Sequence, residues 1–395
     1  RGLWFVPPAC RGICPGWPGR PDGLLRLMVE PAVIATTVLW LAFFLAFAFG
    51  AIAQKTHFCT MGAVSDIVSM GDWSRMRMWL LAIGVAILGA AALHAAGLID
   101  LGKSIYRTPT FTWLSYLVGG ACFGVGMVLA SGCGAKTLIR IGGGNLKSMV
   151  VFLVLGLVAY MTMRGVLGVF RVNVLEKATL TFPGGQDVPA LLTAAGMDGK
   201  AALLLAALVI GGGLTAFSLL KREFWTFDNL LGGVGTGLAV VAAWYVSGHI
   251  GYLAEHPETL EEAFLATNSG RMESLTFVAP QAYVLELLML WSDNSRKMSF
   301  AIATVLGVIA GSAAWALLTR SFRWEGFANV EDTASHLLGA VLMGFGGVVA
   351  MGCTVGQGIS GFSTLALGSI LTFLTIVAAA TATLKFQYWR LMRED

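Results

Sequence analysis

One glycine-studded apolar segment occurs twice in this chain, and it limits the folds available. The first copy carries Gly119, Gly124, Gly126 and Ala130 and ends on Gly132-Cys133. The second carries Gly339, Gly344, Gly346 and Ala350 and ends on Gly352-Cys353, every mate at the same offset. Two halves of the chain thus close an apolar run on a glycine and a single cysteine. In a membrane protein, matched segments of this kind indicate two structural repeats meeting at a shared path.

Composition places the chain in lipid. Hydrophobic residues make up 56% of the 395 residues and charged residues only 12%. The 50 glycines are dispersed, as close helix packing in a bilayer requires, rather than gathered in a linker. Apolar runs long enough to span occur along nearly the whole chain. The net charge of +4 does not point to nucleic acid, because the basic residues flank the apolar runs as interfacial anchors.

The pattern predicts nine spans, at about 31–53, 76–97, 113–132, 147–168, 201–220, 232–252, 298–319, 335–352 and 365–385. Between them lie apolar segments too short to cross, at 57–70, 133–141, 277–291 and 353–365. These read as re-entrant half-helices, which are tolerated at membrane depth only where protein or a wet cavity satisfies their backbone. His57-Phe58-Cys59 aligns with Thr276-Phe277-Val278, and Ser74-Arg75 with Ser295-Arg296. Each half then reads span, half-helix, span, span, half-helix, span, with the fifth span an extra between them.

Four spans plus one is an odd number, so the second half enters from the opposite side. The expected fold is therefore an all-α polytopic membrane protein of nine helices plus half-helices, arranged as an inverted repeat. Residues 28–170 form the first repeat and 171–231 a connector holding the extra span. Residues 232–390 form the second repeat and 391–395 a tail. Residues 1–27, with Cys10 and Cys14, read as a disordered extension ahead of Met28. Lys and Arg are more numerous in the loops on the C-terminal side, which favours a cytoplasmic C-terminus.

Six cysteines without a C-x-x-C pair give little support to a zinc site or a thioredoxin-like couple, and neither metal nor cofactor is expected. Cys122, inside a span, reads as a small buried hydrophobe. Cys59, Cys133 and Cys353 each open a short segment beside small or hydroxyl residues. Their neighbours are Thr60 and Gly62, Gly132 and Gly134, and Gly352 and Thr354.

A half-helix starting at such a place aims its N–H groups and partial positive charge at whatever lies beside the thiol. That favours an anion, and a weak polarizable thiol suits a large soft one such as thiosulfate. Cys133 and Cys353, matched across the repeat, read as site residues. Cys59, whose mate is Val278, reads equally as site or core. Lys136 and Arg140 read as interfacial anchors or as anion attractors, His57 as a polar cap or a proton-linked group, and Glu286 as a candidate proton carrier. A membrane thiol–disulfide enzyme and a scaffold protein are the rival classes.

Three segments resemble the signatures of the YeeE/YedE family. They are His57-Phe-Cys59-Thr-Met-Gly-Ala-Val-Ser-Asp66, Ser131-Gly-Cys133-Gly-Ala-Lys-Thr-Leu-Ile-Arg-Ile-Gly-Gly-Gly-Asn145 and Met351-Gly-Cys353-Thr-Val-Gly-Gln357-Gly-Ile-Ser-Gly361. The resemblance implies a non-enzymatic thiosulfate permease of the bacterial inner membrane, with an hourglass of inverted repeats. It also implies a relay through Cys59, Cys133 and Cys353, with Gln357 in the third signature, and a small cytosolic sulfur-carrier protein as partner. Some relatives are regarded as selenium transporters, so the resemblance leaves the ion open.

Overall fold

The computed structural model describes residues 21–182, 184–257 and 259–394. Cys10 and Cys14 lie outside them. Helix α1 (Pro21–Lys55) starts ahead of Met28, so residues 21–27 are its first turns rather than part of an extension. Next come α2 (Thr60–Met70), α3 (Ser74–Ala95), α4 (Trp113–Leu129), α5 (Gly134–Gly142) and α6 (Leu146–Arg164). The extra span is α7 (Gly199–Leu219), followed by α8 (Phe227–Ile250). The last elements are α9 (Ala279–Met289), α10 (Phe300–Leu318), α11 (Val330–Val349), α12 (354–363) and α13 (Leu367–Glu394).

Among the described residues nine helices are long and apolar enough to cross a membrane, and they match the nine expected spans. Among the described residues strand is confined to two short antiparallel pairs in the loops, Thr110–Phe111 with Leu180–Thr181 and Tyr252–Leu253 with Ala263–Phe264. The chain is an all-helical, multi-pass membrane protein.

Loop contacts sort the ends into two faces. On the face where α13 ends, Leu146 N–H donates to the Glu325 carbonyl (2.8 Å) and Lys55 pairs with Asp228 (3.6 Å). On the face where the chain enters, Arg107 donates to the Thr364 carbonyl (2.8 Å) and Met272 N–H to the Lys103 carbonyl (3.3 Å). Helix α5 therefore runs outward from Cys133 to the C-terminal face, and α12 runs from Cys353 to the N-terminal face.

Packing between the halves is reciprocal. Helix α1 packs on α10, and α8 on α3; α4 packs on α13, and α11 on α6. The half-helices follow the same exchange, α2 against α13 and α9 against α6. At the centre α4 crosses α11. A Cβ added at Gly119 would stand 2.6 Å from the Ala350 nitrogen, and one at Gly339 would stand 2.6 Å from the Ala130 nitrogen. These two contacts are the sequence mates of each other. Only glycine permits the backbones this close, and in lipid such packing takes the place of hydrophobic burial.

A side chain at this crossing forces the helices apart, at a cost of about 1–3 kcal/mol for ordinary overpacking. Gly119→Val is expected to lower the melting temperature of the detergent-solubilised protein by several degrees. Gly212→Ala, at a helical glycine with open space around it, should not lower it. Equal melting curves for Gly119→Val and the native protein would contradict the close crossing.

Candidate functional site

Each of the three cysteines sits at the same local device. Helix α1 ends in a left-handed residue, His57 (φ 52°), followed by Phe58 and Cys59. Helix α4 ends in Ser131 (φ 54°), followed by Gly132 and Cys133, and α11 in Met351 (φ 58°), followed by Gly352 and Cys353. In the last two, paired hydrogen bonds close the helix: Gly132 N–H to the Met127 carbonyl (2.9 Å) with Ser131 N–H to Val128 (3.1 Å), and Gly352 N–H to Gly347 (2.7 Å) with Met351 N–H to Val348 (3.0 Å). This is the Schellman closure, usually built on glycine. A non-glycine residue there costs about 1–2 kcal/mol, and strain of that kind gathers at functional sites.

The chain then turns immediately into a half-helix with the cysteine as its N-cap. The Cys59 carbonyl accepts from Ala63 N–H (3.0 Å), that of Cys133 from Thr137 (2.9 Å) and that of Cys353 from Gln357 (2.7 Å). Two thiols also take N-terminal amide protons: Gly62 N–H points at Cys59 Sγ (3.4 Å) and Gly356 N–H at Cys353 Sγ (3.3 Å). Helix α5 has nine residues, about 14 Å at 1.5 Å per residue. That is half of a hydrocarbon core of about 30 Å, which puts Cys133 near mid-depth.

Cys133 lies within electrostatic reach of both Cys59 and Cys353, and the Thr354 side chain approaches its sulfur. All three cysteines are buried free thiols. Cys122 is also free and half-buried on α4, away from any half-helix start.

Around them lie polar atoms that are buried without a hydrogen-bond partner. They include Thr60 Oγ1, Thr354 Oγ1, Gln281 Oε1, Gln357 Oε1 and the Tyr106 hydroxyl. Buried polar groups are normally paired, so these are atoms that a polar guest could satisfy.

Not every expected residue has a free role. Gln357 donates its amide to the Ala350 carbonyl, tying α12 to the end of α11. Gly134 lets α5 abut the Phe277 carbonyl, where a Cβ would stand at 2.7 Å, and Gln281 donates to the Gly134 carbonyl (3.1 Å). Gly132 is pressed by the Lys136 stem and Gly352 by Gln357. The mate of Cys59, Val278, is fully buried apolar filling against Gly347.

A cavity of about 530 Å³ opens on the C-terminal face and reaches Cys59 and Gly62. Arg75, Lys136, Arg140 and Arg323 line it, with Asp66 and Glu325. Asp66 is taken by Arg75 (3.1 Å) and Glu325 by Asn145. Among the described residues, Lys136, Arg140 and Arg323 have no carboxylate within ion-pair distance, so the vestibule is positive. Lys136 and Arg140 thus line this cavity. Neither Cys133 nor Cys353 lines the vestibule; both lie behind Cys59.

Sequence reading did not single out Tyr106, Gln281 or Arg323. Tyr106 and Arg323 come from loops with no motif, and Gln281 from a half-helix that lacks a cysteine.

Nine apolar helices with half-helix N-termini inside them beneath a charged vestibule are the arrangement of a membrane transporter. The chain belongs to the sulphur transport family, whose model matches residues 55–382. It is 29% identical over 316 residues to the thiosulfate transporter TsuA of Escherichia coli K12, covering 78% of this chain and 83% of that protein. It is 25% identical over 350 residues to the thiosulfate transporter TsuA of Spirochaeta thermophila, covering 86% of this chain and 96% of that one. The protein is therefore a transporter of a sulfur compound and not an enzyme.

Access should follow the geometry. In a variant with Cys10, Cys14 and Cys122 changed to alanine, a membrane-impermeant maleimide applied from the C-terminal face is expected to label Cys59 faster than Cys133 or Cys353. Labelling of Cys353 first from that face would contradict the order of the thiols.

Proposed function

We propose that this protein imports thiosulfate across the bacterial inner membrane, passing it along Cys353, Cys133 and Cys59. The observation that carries the reading is that Cys133 has an N-capping thiol within electrostatic reach on either side, Cys59 and Cys353, with unpaired buried hydroxyl and amide oxygens beside them. The relatives named as thiosulfate transporters support thiosulfate as the substrate.

The chemistry is a weak handover. Thiosulfate carries an exposed sulfur with much of its negative charge. Each neutral thiol offers an S–H to that sulfur, a weak bond made at little cost in desolvation. The half-helix N-termini add partial positive charge without a full cation, so no single site holds the ion too tightly. A thiolate would repel a dianion, so the relay works with protonated thiols. Once at Cys59 the ion meets the cationic vestibule, where Lys136, Arg140 and Arg323 draw it out.

We read the two halves as an inverted repeat about the α4–α11 crossing, and the reciprocal contacts support this. Rocking one half against the other would then expose the thiols to each face in turn. The excess of Lys and Arg on the vestibule side makes it cytoplasmic. A positive cytoplasmic mouth also suits docking by a small sulfur-carrier protein with an acidic surface.

Growth on thiosulfate as sole sulfur source, in a strain lacking other uptake routes, tests the reading. Cys133→Ala and Cys353→Ala are each expected to lower initial thiosulfate uptake at least about tenfold, the equivalent of about 1.4 kcal/mol. Cys122→Ala should leave it unchanged. Uptake by both relay variants equal to that of the native protein would contradict the relay.

A further inference from the structure

The segment 271–277 leads from the N-terminal face to the thiols. Met272 is fully buried against Gly248, and the Ser274 hydroxyl donates to the Val240 carbonyl (3.0 Å). The Leu275 carbonyl accepts from Ser360 on α12 (2.7 Å), and the Thr276 side chain reaches Cys353 Sγ. Within this buried thread sits an acid, Glu273, only 8% exposed.

Its carboxyl is held by the backbone N–H of Ser269 (2.8 Å), with the Ser269 hydroxyl and Asn268 N–H beside it. Its own carbonyl accepts from the Ser247 hydroxyl on α8. Among the described residues no Lys, Arg or His pairs with it. The titratable groups that face it are the phenols of Tyr106, from the 96–112 loop, and Tyr283, from α9. The Tyr106 hydroxyl, itself without a partner, lies within electrostatic reach of both Glu273 and Cys353. An acid, a phenol and a thiol therefore line up from the N-terminal face toward the centre.

Glu286, the acid the sequence suggested for proton transfer, is placed differently. It pairs with Arg296 (3.2 Å) and accepts from Tyr160 (3.4 Å). Among the described residues Glu273 has no such cation, and burial pushes its carboxyl above the usual carboxylate range.

We propose that Glu273 is the proton-carrying group that couples entry of the sulfur anion to entry of a proton from the N-terminal face. This rests on the thiosulfate reading given above. An ionised Glu273 beside the path repels a dianion approaching Cys353; a neutral one does not. Protonation and anion binding therefore favour each other, each raising the other's affinity by the same factor. The membrane potential, negative inside, opposes anion entry in proportion to its charge, and protons travelling with the anion offset that opposition. In each cycle the carboxyl takes a proton from the N-terminal side and gives it up on the other. No bond forms to the anion, which leaves unchanged.

The test uses the purified full-length protein in liposomes with the potential clamped. Radiolabelled thiosulfate is followed in counterflow at equal pH and in net uptake with acid imposed on the N-terminal face. A pH dye trapped inside reports protons. The native protein is expected to show counterflow, several-fold faster net uptake under the gradient and acidification of the lumen on adding thiosulfate. Glu273→Gln should keep counterflow but lose the gradient response and the dye signal, and Glu273→Asp should regain part of both. Tyr106→Phe, a milder change, should weaken the gradient response. A native protein that runs counterflow with no response to pH, or a Glu273→Gln variant as responsive as the native one, overturns the proposal. No thiosulfate counterflow in the native protein overturns instead the substrate reading on which it rests.

Discussion

A bilayer offers no water to an unpaired backbone group, so a chain that breaks a helix at mid-depth must satisfy the break at once. This protein does so three times by the same means. A left-handed residue closes one helix, and the second residue after it, a cysteine, opens the next. The carbonyls at the end of the first helix are taken up by the closing turn. The first amides of the second helix are left pointing inward, two of them at thiols. Everything proposed about transport depends on this, because the same turn that makes the break tolerable also produces a soft, weakly positive place for an anion.

The glycines serve that centre from a distance. The α4–α11 crossing is tight because Gly119, Gly126, Gly339 and Gly346 bring the backbones together. It anchors the two helices whose ends carry Cys133 and Cys353. Close packing of this kind is stiff along each helix and narrow at the contact, so it suits a pivot. The two faces differ. The C-terminal face is open to Cys59 through a cationic vestibule. The N-terminal face is closed over α12, where Arg107 holds the Thr364 carbonyl and pairs with Asp187 (3.6 Å), and Val188 N–H meets the Leu365 carbonyl (3.0 Å).

Much of this was legible in the residues. Nine apolar runs gave nine spans, because length and hydropathy are all a bilayer asks of a helix. The half-helices were visible as runs too short to cross, and the cysteine positions stood out through the duplicated Gly-Cys ending. The surroundings of the thiols were not legible. Tyr106 and Arg323 reach the site from loops, whose course depends on tertiary contacts rather than on local pattern. Gln281 sits on the half-helix led by Val278, where a buried apolar residue takes the place of a fourth thiol and removes the signal. That Glu286 meets an arginine and Glu273 does not is decided by folding. Helix α1 begins ahead of the apolar run, at Pro21, a first helical position that needs no N–H.

The central claim is that a soft anion rests among the three thiols at mid-depth. A structure of the protein crystallised or frozen with thiosulfate tests it most directly, with anomalous scattering used to locate the substrate sulfurs. The account predicts density for the ion between the half-helix N-termini, with its terminal sulfur in contact with the Cys133 thiol. Density confined to the cationic vestibule, with the space among the thiols empty at saturating substrate, would contradict it.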